Sequence, residues 1–170
     1  MASNETLILR AALNGKLSVY REIEIDPSKS LYNLAEAIVS AFGFDFDHAF
    51  GFYSDLKPAT MMRTHPQYEL FTDMGDGRPG IGSVKKTRIA QAFPEIGQTM
   101  MFLFDYGDGW HFRVSLKAVG TELAKVRYPR VIATRGDAPP QYPDPEDIDE
   151  EDRATYGINP LTGKKIWIRR

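Results

Sequence analysis

The 170-residue chain contains no cysteine. That excludes disulfides, thiolate metal sites, zinc ribbons and a cysteine nucleophile, and it agrees with a reducing cytoplasm. No apolar run approaches the roughly 18 residues a membrane span needs. The start, MASNETLILRAAL, has no basic segment and carries Glu5 before a short apolar stretch broken by Arg10, so it reads as a first strand and not as a signal peptide. There is no excess of positive charge either: the formal net charge is -2. Residues 137–170 hold eight acids and five bases, which leaves the body of the chain nearly neutral. Two sparse basic groups, Arg78/Lys85/Lys86/Arg88 and Lys125/Arg127/Arg130/Arg135, read as solvated surface and not as a phosphate track. Internal repeats, a Walker loop, a dinucleotide fingerprint and a Gly-x-Ser-x-Gly elbow are all missing.

What the chain does have is apolar bulk: 42% hydrophobic residues, with ten Phe, eight Tyr and two Trp, enough for one unaided globular domain. Its most informative stretch is TMMFLFDYGDGWHFRVSL, residues 99–116. Met100 to Phe104 is apolar at every position and predicts an interior strand covered on both faces. Trp110, Phe112, Val114 and Leu116 then alternate with His111, Arg113 and Ser115, as a strand with one buried and one wet face requires. Between the two runs lies a turn bearing Gly107 and Gly109, so the stretch is a hairpin.

Upstream, Thr6–Leu13 and Lys16–Ile25 flank Asn14-Gly15, the signature of a two-residue type I′ hairpin. Asp26-Pro27 ends the second strand. Ser30 is placed as N-cap of a helix whose apolar face is Leu31, Leu34, Ala35, Ile38 and Phe42, closed by Gly43. With Asn33 in place of Glu or Gln, its capping box reads as incomplete. A third strand is expected to begin near His48. Residues 55–82 form an irregular excursion with one short strand at Tyr68–Phe71, and Thr87–Phe93 makes a short helix ended by Pro94. Lys117–Val131 extends or follows the second strand of the central hairpin. GDAPPQYPDPEDIDEED, residues 136–152, cannot build a core and reads as an acidic arm, before a last strand-like run, KKIWIRR, that docks by Trp167.

Phe104-Asp105-Tyr106-Gly107-Asp108-Gly109-Trp110 resembles the Tyr-Asp-Phe-Gly-Asp-Gly-Trp signature of the plasmid pRiA ORF-3-like family, proteins of plasmids, insertion elements, bacteria and archaea. Val19-Tyr20-Arg21-Glu22-Ile23, the helix from Ser30-Leu31 to Phe42-Gly43-Phe44, and Pro145-Glu146-Asp147 are similar to three further family segments in the same order. The resemblance implies a protein associated with mobile elements or their hosts. Where the family often carries His-Leu-His-x-Phe this chain has His48-Ala49-Phe50-Gly51-Phe52, and where it has Trp-Glu-His this chain has Trp110-His111-Phe112, so Phe50 and Phe112 stand at both second histidines. The cysteine usual after Pro-Pro-Glu-Asp is missing as well, which removes any thiol or metal role carried over from it. Some members bear a resolvase label, yet the acidic C-terminal third lacks the basic DNA-binding tail a serine recombinase needs.

Asp105 and Asp108 are the obvious carboxylate pair, able to share a proton or hold a divalent cation. Turn chemistry explains them more simply, since Asp side chains bond nearby amides and Gly107 and Gly109 supply positive φ. Asp105, Tyr106, Gly107, Asp108, Gly109 and Trp110 therefore read as a structural or binding turn, with Trp110 in the core. His48, His111 and Arg113 are the candidate polar surface. Ser115 lies about 13 Å along the strand from His111, beyond reach for nucleophilic catalysis. No catalytic residue, metal site or cofactor is assigned.

The sequence thus predicts one α+β domain: a mixed or mainly antiparallel sheet with one principal helix packed on it. Residues 1–135 form its body, and 136–170 add the arm and last strand. The leading function is a cytoplasmic, non-catalytic binding module of undefined ligand, with the acidic arm at 144–152 as the candidate surface for a protein partner and no membrane. Two alternatives stand beside it: nucleic-acid binding through Lys85, Lys86 and Arg88 with His111 and Arg113, and a metal-dependent hydrolase using Asp105 and Asp108.

Overall fold

The computed structural model describes residues 4–143 and the backbone of 156–158 and 165–167. Strands β1 (Glu5–Leu13) and β2 (Tyr20–Ile25) pair antiparallel, as the sequence predicts. Their connection differs. Of Asn14 and Gly15, Gly15 alone takes positive φ (+90°), whereas a type I′ turn needs both. Instead Lys16 N donates to Leu13 O and Val19 N to Lys16 O, each at 3.0 Å. These two successive turns delay β2 from Lys16 to Tyr20.

Helix α1 (Leu31–Ala41) starts and stops where its caps dictate. Ser30 Oγ accepts from Asn33 N, and Asn33 Oδ1 accepts in return from Ser30 N, both at 3.2 Å. The capping box is therefore complete, against the sequence expectation, because the shorter Asn side chain reaches the same amide that Glu or Gln would. Gly43 closes the helix at φ +72°. Leu31, Leu34, Ala35 and Ile38 are wholly buried against the sheet.

Strand β3 (Phe50–Tyr53) begins at Phe50 and not at His48, which stays outside the ladder. A 3₁₀ turn (Met61–Arg63), β4 (Gln67–Glu69), α2 (Leu70–Asp73), β5 (Gly82–Ser83) and α3 (Ile89–Ala92) make up the following excursion. The short strand expected at Tyr68–Phe71 thus gives way to a helical turn at Leu70. The central hairpin is β6 (Thr99–Phe104) and β7 (Trp110–Thr121), followed by β8 (Arg130–Arg135).

Eight strands form one sheet in the order β5-β4-β3-β6-β7-β1-β2-β8, antiparallel except where β4 meets β5. Strand β6 lies inside it, and every residue from Met100 to Phe104 is buried. Met100, Phe102 and Phe104 face the core under α1, which also takes Leu9, Ile23, Phe112 and Val114. Met101 and Leu103 join Tyr53 and Met61 in a second cluster against Leu56 and Tyr106. The run is fully apolar because both of its faces are covered. Strands β9 (Tyr156–Ile158) and β10 (Lys165–Trp167) pair in a separate two-stranded sheet. The acidic segment 144–152 and the docking of Trp167 lie outside the described residues.

Candidate functional site

The β6–β7 turn is built by one carboxylate. Asp105 Oδ1 accepts from Gly107 N (3.0 Å) and Asp108 N (3.2 Å), while Asp105 O accepts from Gly109 N (2.6 Å). Asp105 itself takes φ +63° and Gly109 +71°. Gly107 does not, contrary to expectation; the first left-handed position falls on an aspartate, which tolerates it by bonding its own turn. Asp105 N also donates to Ala49 O at 2.9 Å, which brings the segment ahead of β3 against the turn.

That contact delivers His48. Its Nδ1 lies 2.7 Å from Asp47 Oδ1, and its Nε2 lies 3.6 Å from Asp105 Oδ2. Asp105 Oδ2 is buried without a hydrogen-bond partner. The chain after β8 completes the corner: Tyr142 OH donates to Asp47 Oδ2 (3.2 Å), and Gln141 bonds both Asp45 N and Asp45 O. Burial raises the Asp47 carboxyl, but the bonds from His48 and Tyr142 outweigh it and hold the group below its ordinary value. Burial, and then the charges of Asp47, Asp105 and Asp108, push the Tyr142 phenol up to about 12. Beside His48 an open groove of about 320 Å³ is lined by Tyr32, Phe46, Asp47, Phe50, Leu70 and Met74.

Other residues singled out from sequence lie elsewhere. Trp110 is core: it packs 4.8 Å from Phe44, and its Nε1 donates to Gln141 O at 3.2 Å. Phe50 and Phe112 are wholly buried. His111 Nδ1 contacts Gly109 O, and Arg113 Nε donates to Asn14 Oδ1 on the sheet face away from α1. Lys85 lies over the Tyr32 ring of α1, and Lys86 and Arg88 are exposed on the helix side. These five residues do not form one basic face.

A second polar assembly was not legible from sequence. Tyr106 OH meets Tyr53 OH at 2.7 Å, Tyr53 OH donates to Glu69 Oε1 at 3.0 Å, and Arg78 bonds both Glu69 and Gln67. Burial pushes both phenols upward. The one signal for it was Gly51, a residue without a side chain in an aromatic run. Among the described residues no group of three or more His, Cys, Asp or Glu converges on a metal position.

With a mixed sheet, one principal helix packed on it and an Asp-built hairpin turn, the chain is an α+β protein. The chain belongs to the plasmid pRiA4b ORF-3-like protein family, whose family model matches residues 6–151. Its fold is similar to the crystal structure of a protein of unknown function, MM3350, from Methanosarcina mazei Go1. That similarity has a TM-score of 0.65 at 19% identity and covers 81% of this chain and 72% of the other. No curated protein matches the chain. No helix among the described residues is long and apolar enough to cross a membrane.

Proposed function

We propose that this protein is a non-catalytic interaction module that engages a basic protein partner through its acidic segment at 144–152. The observation that carries this reading is the pinning of Gln141 and Tyr142 at Asp45 and Asp47, two residues before Asp144. The chain therefore enters a run of seven acids, Asp144 to Asp152, from a corner that already carries Asp45, Asp47, Asp105 and Asp108. A concentrated field of one sign steers a partner of the other. The nucleic-acid alternative has less behind it, since Arg113 and the Lys85/Lys86/Arg88 group lie on opposite sides of the sheet. The hydrolase alternative has less behind it, since Asp105 uses Oδ1 to bind the turn amides and turns Oδ2 towards His48.

Fluorescence anisotropy tests the reading at about 50 and 200 mM salt, a range over which phosphate-driven affinity falls steeply. The probes are mixed-sequence DNA, mixed-sequence RNA and a Lys/Arg-rich peptide. Binding of the peptide alone, lost when the seven acids are replaced by their amides, is the expected result. Strong, salt-sensitive binding of either nucleic acid would overturn it.

A further inference from the structure

Asp105 Oδ2 is an unusual group: a carboxylate oxygen with no hydrogen-bond partner on a side chain only 4% exposed. Leaving a buried charge uncompensated is costly, so what faces it matters. What faces it is His48 Nε2, at 3.6 Å. The other ring nitrogen contacts the Asp47 carboxylate at 2.7 Å, and a carboxylate there can only accept, so Nδ1 carries a hydrogen. In the neutral imidazole Nε2 then presents its lone pair to the lone pairs of Asp105 Oδ2. Two acceptors facing one another repel until a cation comes between them.

We propose that His48 Nε2 and Asp105 Oδ2 hold a divalent transition-metal ion, with Asp47 orienting the imidazole from behind. The spacing fits: two ligands each about 2.0–2.1 Å from one ion at a tetrahedral angle stand roughly 3.4 Å apart. The backing carboxylate is the outer partner that metal-binding histidines characteristically have, fixing the tautomer and raising the basicity of the ligating nitrogen. An imidazole nitrogen with a carboxylate oxygen suits zinc, nickel or copper, whereas magnesium and calcium prefer oxygen alone. His48 is 32% exposed on its side chain, so the imidazole is within reach of an ion arriving from solvent, while Asp105 beneath it is 4% exposed. With two protein ligands the site is exchangeable. It ties the segment before β3 to the β6–β7 turn and requires nothing of the partner reading above.

The test uses the full chain, whose lack of cysteine leaves His65 and His111 as the competing imidazoles for zinc. Zinc and nickel chlorides are titrated calorimetrically, with magnesium chloride as control, while the imidazole ¹⁵N resonances are followed by NMR. The expected result is a shift of His48 Nε2 with Nδ1–H retained. H48Q and D105N should each weaken zinc binding at least about tenfold, and D47N about tenfold. H65Q should change nothing. D105N keeps the oxygen that accepts from Gly107 and Asp108, so the turn survives, and H48Q alters only a half-exposed side chain. No His48 shift in millimolar zinc would overturn the proposal. So would unchanged affinity in H48Q or D105N, or a hydrogen on Nε2 that zinc fails to displace, which would make the pair a plain ion pair.

Discussion

The Tyr53 and Tyr106 hydroxyls meet 2.7 Å apart over Gly51. A Cβ on Gly51 would stand 2.8 Å from both oxygens and 2.9 Å from a Tyr53 ring carbon. The glycine is therefore required for space and not for conformation, since its φ is not positive. Both phenols are fixed, one by Glu69 and the other by packing 5.0 Å from Phe71. Gly51→Ala should consequently cost about 1–3 kcal/mol, the usual penalty of overpacking. Urea unfolding measures it, and a midpoint equal to wild type would show that the tyrosine pair shifts freely.

Trp110 anchors the hairpin to the core and, through Nε1, to the chain beyond β8. Trp110→Ala should cost about 3–5 kcal/mol, as for other buried large-to-small changes. In a chain of this size that lowers the melting temperature by roughly 6–20 °C. Trp110→Phe keeps much of the packing and loses the bond to Gln141 O, so its cost should be nearer 1 kcal/mol. A melting temperature for Trp110→Ala close to wild type would refute the core assignment.

The parts of the fold written in local periodicity were legible in the sequence: the alternation of Trp110, Phe112 and Val114, the unbroken run Met100–Phe104, and the helix face from Leu31. Local signals failed where geometry overrode residue type. Asn14-Gly15 looked like a two-residue turn, yet the pairing of Leu13 with Val19 set a longer loop. Asn33 looked like a missing cap and supplies one. The candidate site was half legible. Asp105 and His48 were each singled out, but 57 positions in sequence separate them, and it is the pairing of β3 with β6, continued by the bond from Asp105 N to Ala49 O, that brings them together. The Tyr53–Tyr106–Glu69–Arg78 assembly joins four segments, and no spacing rule encodes such a meeting.

Reciprocal capping by Ser30 and Asn33 sets the start of the one long helix, so it should carry measurable stability. Ser30→Ala removes the acceptor for Asn33 N and should cost about 1 kcal/mol. Asn33→Ala removes the return bond to Ser30 N and should cost less, because the primary cap remains. If the box acts as a unit, the double variant should cost less than the two single losses added together, a coupling that a double-mutant cycle reads directly. Strict additivity would mean that the two bonds act independently.

Tyr142 gives the corner a pH signature that can be followed by NMR of its phenol carbon. Its hydroxyl donates to Asp47, and burial together with the surrounding carboxylates raises its titration to about 12, above the ordinary value of 10.0. The folded pKa is the higher one, so the contribution to stability is complete below pH 10.0 and is lost as pH rises through about 12. Asp47→Asn removes the nearest of these charges and should bring the Tyr142 midpoint down towards the ordinary value. Because Tyr142 is 54% exposed, the effect on overall stability is small and the titration itself is the measurement. A midpoint near 10 in the wild-type protein would mean that Tyr142 does not rest on Asp47. The corner from which the acidic segment departs would then be held by Gln141 without Tyr142.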